Sequence, residues 1–417
     1  MAEPGSVHAI LSPSGADRWV QCPGSVLLSD GLPDTSGPYA IDGTDHHELA
    51  ALCLEQKRPA SDYVGCAMQS GAIATEENCK YLDEGYLTPL TEIYAVDGSL
   101  LVEERCSISH LTGEKDAFGT SDAVVIKQDR ELIVGDLKFG RGVEVSPEHN
   151  KQLQIYALAV IRKHELETEI DQARLIIFQP RVGNGAPQEW VIGLPALLVF
   201  AEEVKRAATP ILKALPKYRV DKINVLPLNP SEKACRFCKV KGTCPALQNF
   251  VDATMAEGFE AEVGGLSGAS VVDGVRLGKA MDAVDLMEIW IKGVQATVEI
   301  ELLAGRPVIG ADGPYKLVTG KMGNRKWSDE SEAEEMLTER FRMKIEDAYK
   351  MTVISPSAAE KLLAKEHPRR WVQLEKLVTQ SEGSKHVAKA TDKRPAIETR
   401  PMEEGFEAEP PQEEELF

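Results

Sequence analysis

The segment ELIVGDLK, residues 131–138, constrains this chain more than any other stretch. Its apolar run reads as a β-strand that is buried at its end, and Asp136 and Lys138 follow that run directly. Residues two apart in a strand project from the same face, so this carboxylate and this ammonium share one side. A charge at a buried strand end is costly unless it is compensated. The preceding run AVVIK (123–127) is a second strand, joined through the polar turn QDR (128–130) as a β-hairpin. That hairpin can bring Asp122, in GTSD (119–122), opposite Asp136.

The remaining periodicities surround this hairpin with helices. One short helix is expected within Pro13–Leu28, a second capped by Thr44 or Asp45 and running through HHELAALCLEQ, and a third over Glu77–Ala95. After the hairpin, NKQLQIYALAVIRKH returns to helical period, ARLIIFQPR is a strand, and LPALLVFAEEVKRAATPILKAL is another helix. This alternation predicts an α/β core. Beyond residue 250, GGLSGASVVDG reads as a linker and VRLGKAMDAVDLMEIWIKGVQATVEIELLAG as a long amphipathic helix. The expected division is an α/β domain over 1–250, a linker over 251–270, a helical and mixed accessory domain over 271–380, and an acidic disordered tail over 381–417.

Two carboxylates and a lysine at one strand end suit phosphodiester hydrolysis. Carboxylate oxygens hold Mg²⁺ or Mn²⁺, and the lysine orients or deprotonates a water whose pKa the metal lowers. An Asp-x-Lys pair is also a common solvated surface feature, and His47 taken alone reads as a core or capping histidine.

GTDHH (43–47), GTSD (119–122), GDLK (135–138) and QLQIY (152–156) nevertheless stand in the order of the motifs of RecB-like PD-(D/E)XK nucleases, and the chain resembles that family over about residues 8–250. The resemblance implies a restriction-endonuclease-like core, a mixed central sheet flanked by helices. It further implies that His47, Asp122 and Asp136 are metal ligands together with the Leu137 carbonyl, and that Lys138 is the catalytic lysine. Gln152 and Tyr156, four apart on one helical face, would contact DNA or brace that lysine. The activity implied is metal-dependent DNA cleavage, in exonuclease form. A module that holds DNA or a partner without cutting is the rival, but it would have no need of His47, Asp122, Asp136 and Lys138 together.

Cys235, Cys238 and Cys244 form C-x2-C-x5-C, and three thiolates need a fourth partner in a zinc or cubane site. Candidates are Cys22, Cys53, Cys66, Cys79 and Cys106. The context WVQCPGS, with Trp19 shortly before Cys22-Pro23, resembles the AddB nuclease subunit and the iron–sulfur nucleases of CRISPR adaptation. That resemblance implies a [4Fe–4S] cluster on Cys22, Cys235, Cys238 and Cys244, closing the catalytic domain at its two ends. Zn²⁺ on the same four cysteines is the alternative. The whole chain also resembles an uncharacterised group of phage and prophage proteins, through LSPSGADRWVQCPGS and KRPAI, which suggests work in recombination or replication.

The formal charge of −19 speaks at first against a nucleic-acid partner. Its distribution weakens the objection, because the last seventeen residues carry seven glutamates and no basic side chain, while basic clusters stand at Lys138–Arg141, Lys233–Lys241 and Arg369–Arg370. No apolar run reaches the roughly 18 residues of a membrane span, and the N-terminus lacks a secretory pattern, so a cytoplasmic location is expected. No Gly-x-x-x-x-Gly-Lys-Ser/Thr loop occurs, so any motor would be another chain. The repeat MAEGFEAE (255–262) and MEEGFEAE (402–409) is either local acidic bias or a duplicated docking motif. GNRKWSDE and HPRRWVQLEKL mix basic and aromatic residues, and EEELF resembles the acidic, Phe-ended tips through which single-strand binding proteins recruit partners. A single-strand annealing or binding protein and a homo-oligomer are therefore the partners considered besides DNA.

Overall fold

The computed structural model describes residues 9–32, 38–95, 98–166, 169–259, 274–311 and 313–318, with short stretches between 360 and 375. The chain divides into two compact units, Met1–Thr319 and Gly320–Phe417. The first is built on a five-stranded mixed sheet in the order β1 (Gly98–Ser107), β2 (Phe118–Lys127), β3 (Glu131–Leu137), β4 (Gln172–Phe178) and β5 (Gln188–Gly193). β3 lies at its centre with every residue buried. It pairs antiparallel with β2 and parallel with β4. The parallel pairing demands a crossover, supplied by helix α7 (Lys151–His164).

The side chains of β3 alternate between two cores. Leu132 and Val134 join a layer formed with α7 and α8 (Leu194–Asp221), into which Trp19 of α1 (Ala16–Gln21) is fully buried. Ile133 and Leu137 join the opposite layer, formed with α3 (Pro38–Gln56), α4 (Glu76–Leu82) and α5 (Thr88–Tyr94). The chain is thus an α/β protein with a mixed sheet flanked by helices. The hairpin turn 128–130 ends on Arg130 at φ 68°, the left-handed residue that three-residue hairpin loops require. No described helix is long and apolar enough to cross a membrane.

Several elements differ from expectation. The helix expected within Pro13–Leu28 is broken into a 3₁₀ turn (Pro13–Gly15), α1 and α2 (Gly24–Ser29). The break falls at Cys22 (φ −127°, ψ 74°), which precedes Pro23 and is pushed out of helical geometry by the ring. α3 begins at Pro38, so Thr44 and Asp45 lie inside it rather than capping it. Asp45 instead accepts from the Ser70 amide at 3.0 Å and from the Ser70 hydroxyl. The third helix contains a π segment, Asp83–Leu87, between α4 and α5. Asp83 spends its carboxylate on the amides of Ala60 and Ser61, at 2.6 and 3.0 Å. β1 and β5 were not expected as strands, because charges interrupt their apolar runs at Glu103–Arg105 and Glu189.

After α8 come α9 (Glu232–Arg236), α10 (Pro245–Phe259) and the long α11 (Gly274–Leu303). α11 packs Leu286, Ile289 and Trp290 against Cys235, Cys244 and Leu247. The expected accessory region 271–380 therefore straddles the division, with α11 in the first unit. Of HPRRWVQLEKL, Pro368–Glu375 forms a short helix in the second unit. GNRKWSDE, both copies of the acidic repeat beyond Phe259, the tail 381–417 and its EEELF tip lie outside the described residues.

The N-terminal segment is tied to the sheet-bearing core by Arg219 of α8, whose guanidinium meets Asp30 in hydrogen bonds of 2.9–3.3 Å. That hydrogen bond and the guanidinium charge hold the Asp30 carboxyl below its ordinary value. A carboxyl depressed in the folded state contributes stability that is present at neutral pH and lost as pH falls through the depressed value. Asp30→Asn should lower the Tm at neutral pH by the equivalent of about 0.2–1 kcal/mol, as for an exposed pair. In thermal melts below the carboxylate range the difference from the unsubstituted chain should vanish.

Candidate active site

The site forms where β2 and β3 end together. Pairing of Ala123 with Gly135 sets the register, and Asp122 stands one step further along beside Asp136. Asp122 Oδ2 accepts the Leu137 amide at 2.7 Å, so this carboxylate closes the ladder that the strands no longer continue. Its Oδ1 lies 3.3 Å from His47 Nδ1, which reaches in from α3. Leu137 itself ends β3 with its side chain in the core.

Asp136 is only 2% exposed. Its Oδ1 accepts from Gln152 Nε2 at 2.9 Å, and its Oδ2 lies 2.8 Å from Lys138 Nζ. The ammonium sits out of line with that oxygen, which accepts no directed hydrogen bond. Lys138 Nζ also donates to Gln152 Oε1 at 3.1 Å. Gln152 thus uses both ends of its amide, one on each charged partner, and its Nε2 lies 3.4 Å from the Tyr156 hydroxyl. Spacing of four on α7 places Gln152 and Tyr156 on the same side of the helix.

Electrostatics follow from this enclosure. Burial holds the Asp136 carboxyl above its ordinary range and Asp122 adds to the push, against the opposing pull of Lys138 and His47. For Lys138 burial works downward, but Asp136 outweighs it and the ammonium is favoured. His47 follows the same pattern, with burial opposed and overcome by Asp122 and then Asp136. Burial, reinforced by Asp136, also lifts the Tyr156 hydroxyl, so the phenol is neutral.

His46 has a different job. Its ring stacks on Phe139 at 3.9 Å and its Nδ1 lies 2.6 Å from the Asp42 carbonyl oxygen, with no exposed surface. Arg181 braces the same corner, bonding Asp42 at 2.8 Å and the Phe139 carbonyl at 3.2 Å. These groups anchor α3 against β3 and leave His47 as the histidine at the carboxylates.

β1 brings a carboxylate that sequence reasoning missed. Glu103 lies opposite Asp122 in the ladder, between the pairs Val102–Ala123 and Glu104–Ser121, and adopts φ 49°. The strand changes phase there, for Val102 packs in one core layer and Cys106 in the other. Although exposed at the rim, Glu103 is pushed up to about 7, by desolvation first and then by Asp122. The signal lay in LVEERCS, where a charged interruption separates apolar residues whose alternation does not match across it.

The cysteine segment is also brought to the N-terminus. Cys22, Cys235, Cys238 and Cys244 are all buried, and Cys22 and Cys244 both act electrostatically on Cys235 and Cys238. Burial pushes the Cys235 thiol up to about 11 and raises that of Cys238. Cys22 Sγ accepts the Asn229 amide at 3.3 Å. Cys53, Cys79 and Cys106 are core residues, and Cys66 is exposed. Among the described residues no three His, Cys, Asp or Glu side chains stand in a ready-made metal-binding set. At the strand end they are paired with one another, His47 with Asp122 and Asp136 with Lys138.

The α/β fold thus gathers two carboxylates, a histidine and a lysine at the end of its central strand. The chain belongs to the DUF2800 family, described as proteins of unknown function, which it matches over residues 8–395. Among solved structures it is similar to SSO0001, at 15% identity and a TM-score of 0.25, covering 56% of this chain and 84% of that one. It is likewise similar to LHK-Exo in complex with dAMP, at 11% identity and a TM-score of 0.24, covering 50% of this chain and 94% of that one. At these values neither likeness bears on the chemistry of the site.

Gly119 shows how tightly this chemistry is packed. A Cβ there would lie 2.8 Å from Tyr156 Cε1 and 2.7 Å from Pro13 Cγ. Gly119→Ala should therefore cost about 1–3 kcal/mol through overpacking, measured by chemical denaturation.

Proposed function

We propose that this chain is a metal-dependent DNA exonuclease that hydrolyses phosphodiester bonds at DNA ends, in phage-type recombination or replication. The observation that carries the reading is the seating of Lys138 Nζ on both buried Asp136 and Gln152, beside Asp122. Maintaining so many charges at a buried strand end is expensive for stability alone, and perturbed groups with specific partners gather where chemistry is done.

The donor set suits Mg²⁺ or Mn²⁺. Asp122 and Asp136 offer hard oxygens, Asp136 Oδ2 is buried without a directed hydrogen bond, and His47 adds a nitrogen. His47, Asp122, Asp136 and the Leu137 carbonyl would hold the ion. Bound there, the ion would stabilise charge on the phosphate and acidify a water. Lys138 orients the attacking water and places a positive charge beside the scissile group. Gln152 fixes the lysine relative to Asp136, and Tyr156 limits the freedom of Gln152. Cys22, Cys235, Cys238 and Cys244 present an all-sulfur donor set, suited to a [4Fe–4S] cluster or to Zn²⁺. DNA is the proposed partner, with a single-strand annealing or binding protein beside it and self-association of the chain as further partnerships.

Incubating full-length protein with end-labelled linear DNA and Mn²⁺ tests the reading. Release of labelled nucleotides is expected, with Lys138→Ala reducing it at least about 100-fold while the circular dichroism melt persists. Equal digestion by the variant would refute the role of Lys138, and cutting of a closed circular substrate would replace exonuclease by endonuclease. For the cysteines, anaerobically purified protein should contain iron and absorb near roughly 400 nm, as thiolate-ligated clusters do. Cys22→Ser should lose that absorbance, whereas zinc without iron would identify the alternative.

A further inference from the structure

A basic cavity stands apart from the candidate active site. It is open to solvent, has a volume of about 480 Å³, and is lined by Arg105, Ser107, Ser109, His110, Ala159, Arg162 and Lys163, with no carboxylate in its wall. In a chain with 66 acidic and 47 basic residues, such a lining runs against composition. Two of the cations are held from outside the wall. Arg162 meets Glu165 at 2.6 Å, and Lys163 meets Glu104 at 2.6 Å and the Arg105 carbonyl at 3.0 Å. Arg105 has no carboxylate partner among the described residues, and its guanidinium lies over the Phe118 ring at 3.5 Å. Its N–H groups are therefore unspent on protein anions. The hydroxyls of Ser107 and Ser109 make long contacts only: both donate to the Ala117 carbonyl, at 3.4 and 3.3 Å, and Ser107 Oγ also accepts the Ser109 amide at 3.4 Å. Burial disfavours protonation of His110, and the charges of Arg162 and Lys205 disfavour it further, against a hydrogen bond with the Ser107 backbone and the Glu165 charge.

A guanidinium fork beside paired hydroxyls and an ammonium matches the oxygens of a phosphate group. The cavity is also aligned with the site. Gln152, Tyr156, Ala159 and Lys163 follow one another at spacings of four, three and four, so they lie along one side of α7. At 1.5 Å per residue, Lys163 stands about 16 Å from Gln152 along the axis. That length corresponds to roughly five nucleotide steps of a duplex.

We propose that this cavity is a phosphate-binding site that grips the backbone of the DNA strand whose end occupies the candidate active site. The proposal rests on the nuclease reading for the position of that end, while the cavity's affinity for phosphate is a separate property. It makes Arg105 a binding residue that reads charge and no sequence, and so sets how far from the cut the strand is held.

The test measures binding of full-length protein to a fluorescent 20-base-pair duplex in EDTA, by anisotropy across a salt series. Arg105→Ala and, separately, Arg162→Ala are compared with the unsubstituted chain, each checked for folding by its thermal melt. Each is expected to weaken binding several-fold on unrelated sequences alike, and to reduce the slope of log K against log salt by about one. Arg105→Lys, which keeps the charge, should restore the slope but only part of the affinity. Unchanged affinity and slope in both alanine variants would overturn the proposal. A second arm titrates inorganic phosphate. Thermal stabilisation by phosphate that Arg105→Ala abolishes, with DNA binding untouched, would mean a free anion is the ligand and would equally overturn it. A failure of Lys138→Ala to impair digestion would sink the catalytic reading without altering these binding slopes, so the two failures are distinguishable.

Discussion

Asp136 is a carboxylate taken almost wholly out of water at the end of the central strand, and the surrounding structure is organised around keeping it there. An isolated charge in that position would neutralise itself or unfold the strand end. Three different elements prevent this. The residue that follows β3 supplies the Lys138 ammonium, α7 supplies Gln152, and β2 supplies Asp122, which takes the Leu137 amide that would otherwise be left without a partner. Asp122 aggravates the charge problem at Asp136 while solving a backbone one. That conflict is partly offset by His47 and Lys138, which pull against burial and Asp122.

This arrangement also explains why the helices sit where they do. α3 must be fixed closely enough to offer His47, and the stack of His46 on Phe139 with Arg181 beneath it does so from a residue next in sequence. α7 is anchored by its crossover role between β3 and β4, and its N-cap, Asn150, accepts the Leu153 amide at 3.1 Å. Gln152 is thus presented from the first turn of a well-capped helix, where small shifts of the helix end would be read directly as loss of its contact with Lys138.

Much of this was legible because the informative residues lie within short, regular runs. The hairpin, the α7 helix and the strand at 172–178 follow from periods of two and 3.6, and Asp122, Asp136, Lys138 and Gln152 fall at fixed steps along them. What stayed hidden depends on tertiary compensation. β1 carries Glu103, Glu104 and Arg105 in its middle because Glu104 is neutralised by Lys163 and His164 of α7, partners that no local pattern reveals. Glu103 escapes notice for a further reason. Its left-handed backbone shifts the strand's alternation, so the very position that approaches the site breaks the pattern by which strands are recognised. The break at Cys22 is similar, for Pro23 ends one helix only to let the next begin against Pro227, whose carbonyl accepts the Gly24 amide at 3.0 Å.

That last contact bears on what the four cysteines do. The N-terminal segment is joined to the segment before α9 by hydrogen bonds of the protein itself. The Asn229 side chain donates to the Gln21 carbonyl at 2.8 Å, its amide to Cys22 Sγ, and Arg219 clasps Asp30. A cluster or zinc ion bound by these thiols would add stability in proportion to its affinity for the folded arrangement over the unfolded one. Packing of Leu286 and Trp290 of α11 over Cys235 and Cys244 extends the consequence. The buried thiols and the seat of the long helix α11 therefore belong to one packed cluster, so a change at either is felt at the other.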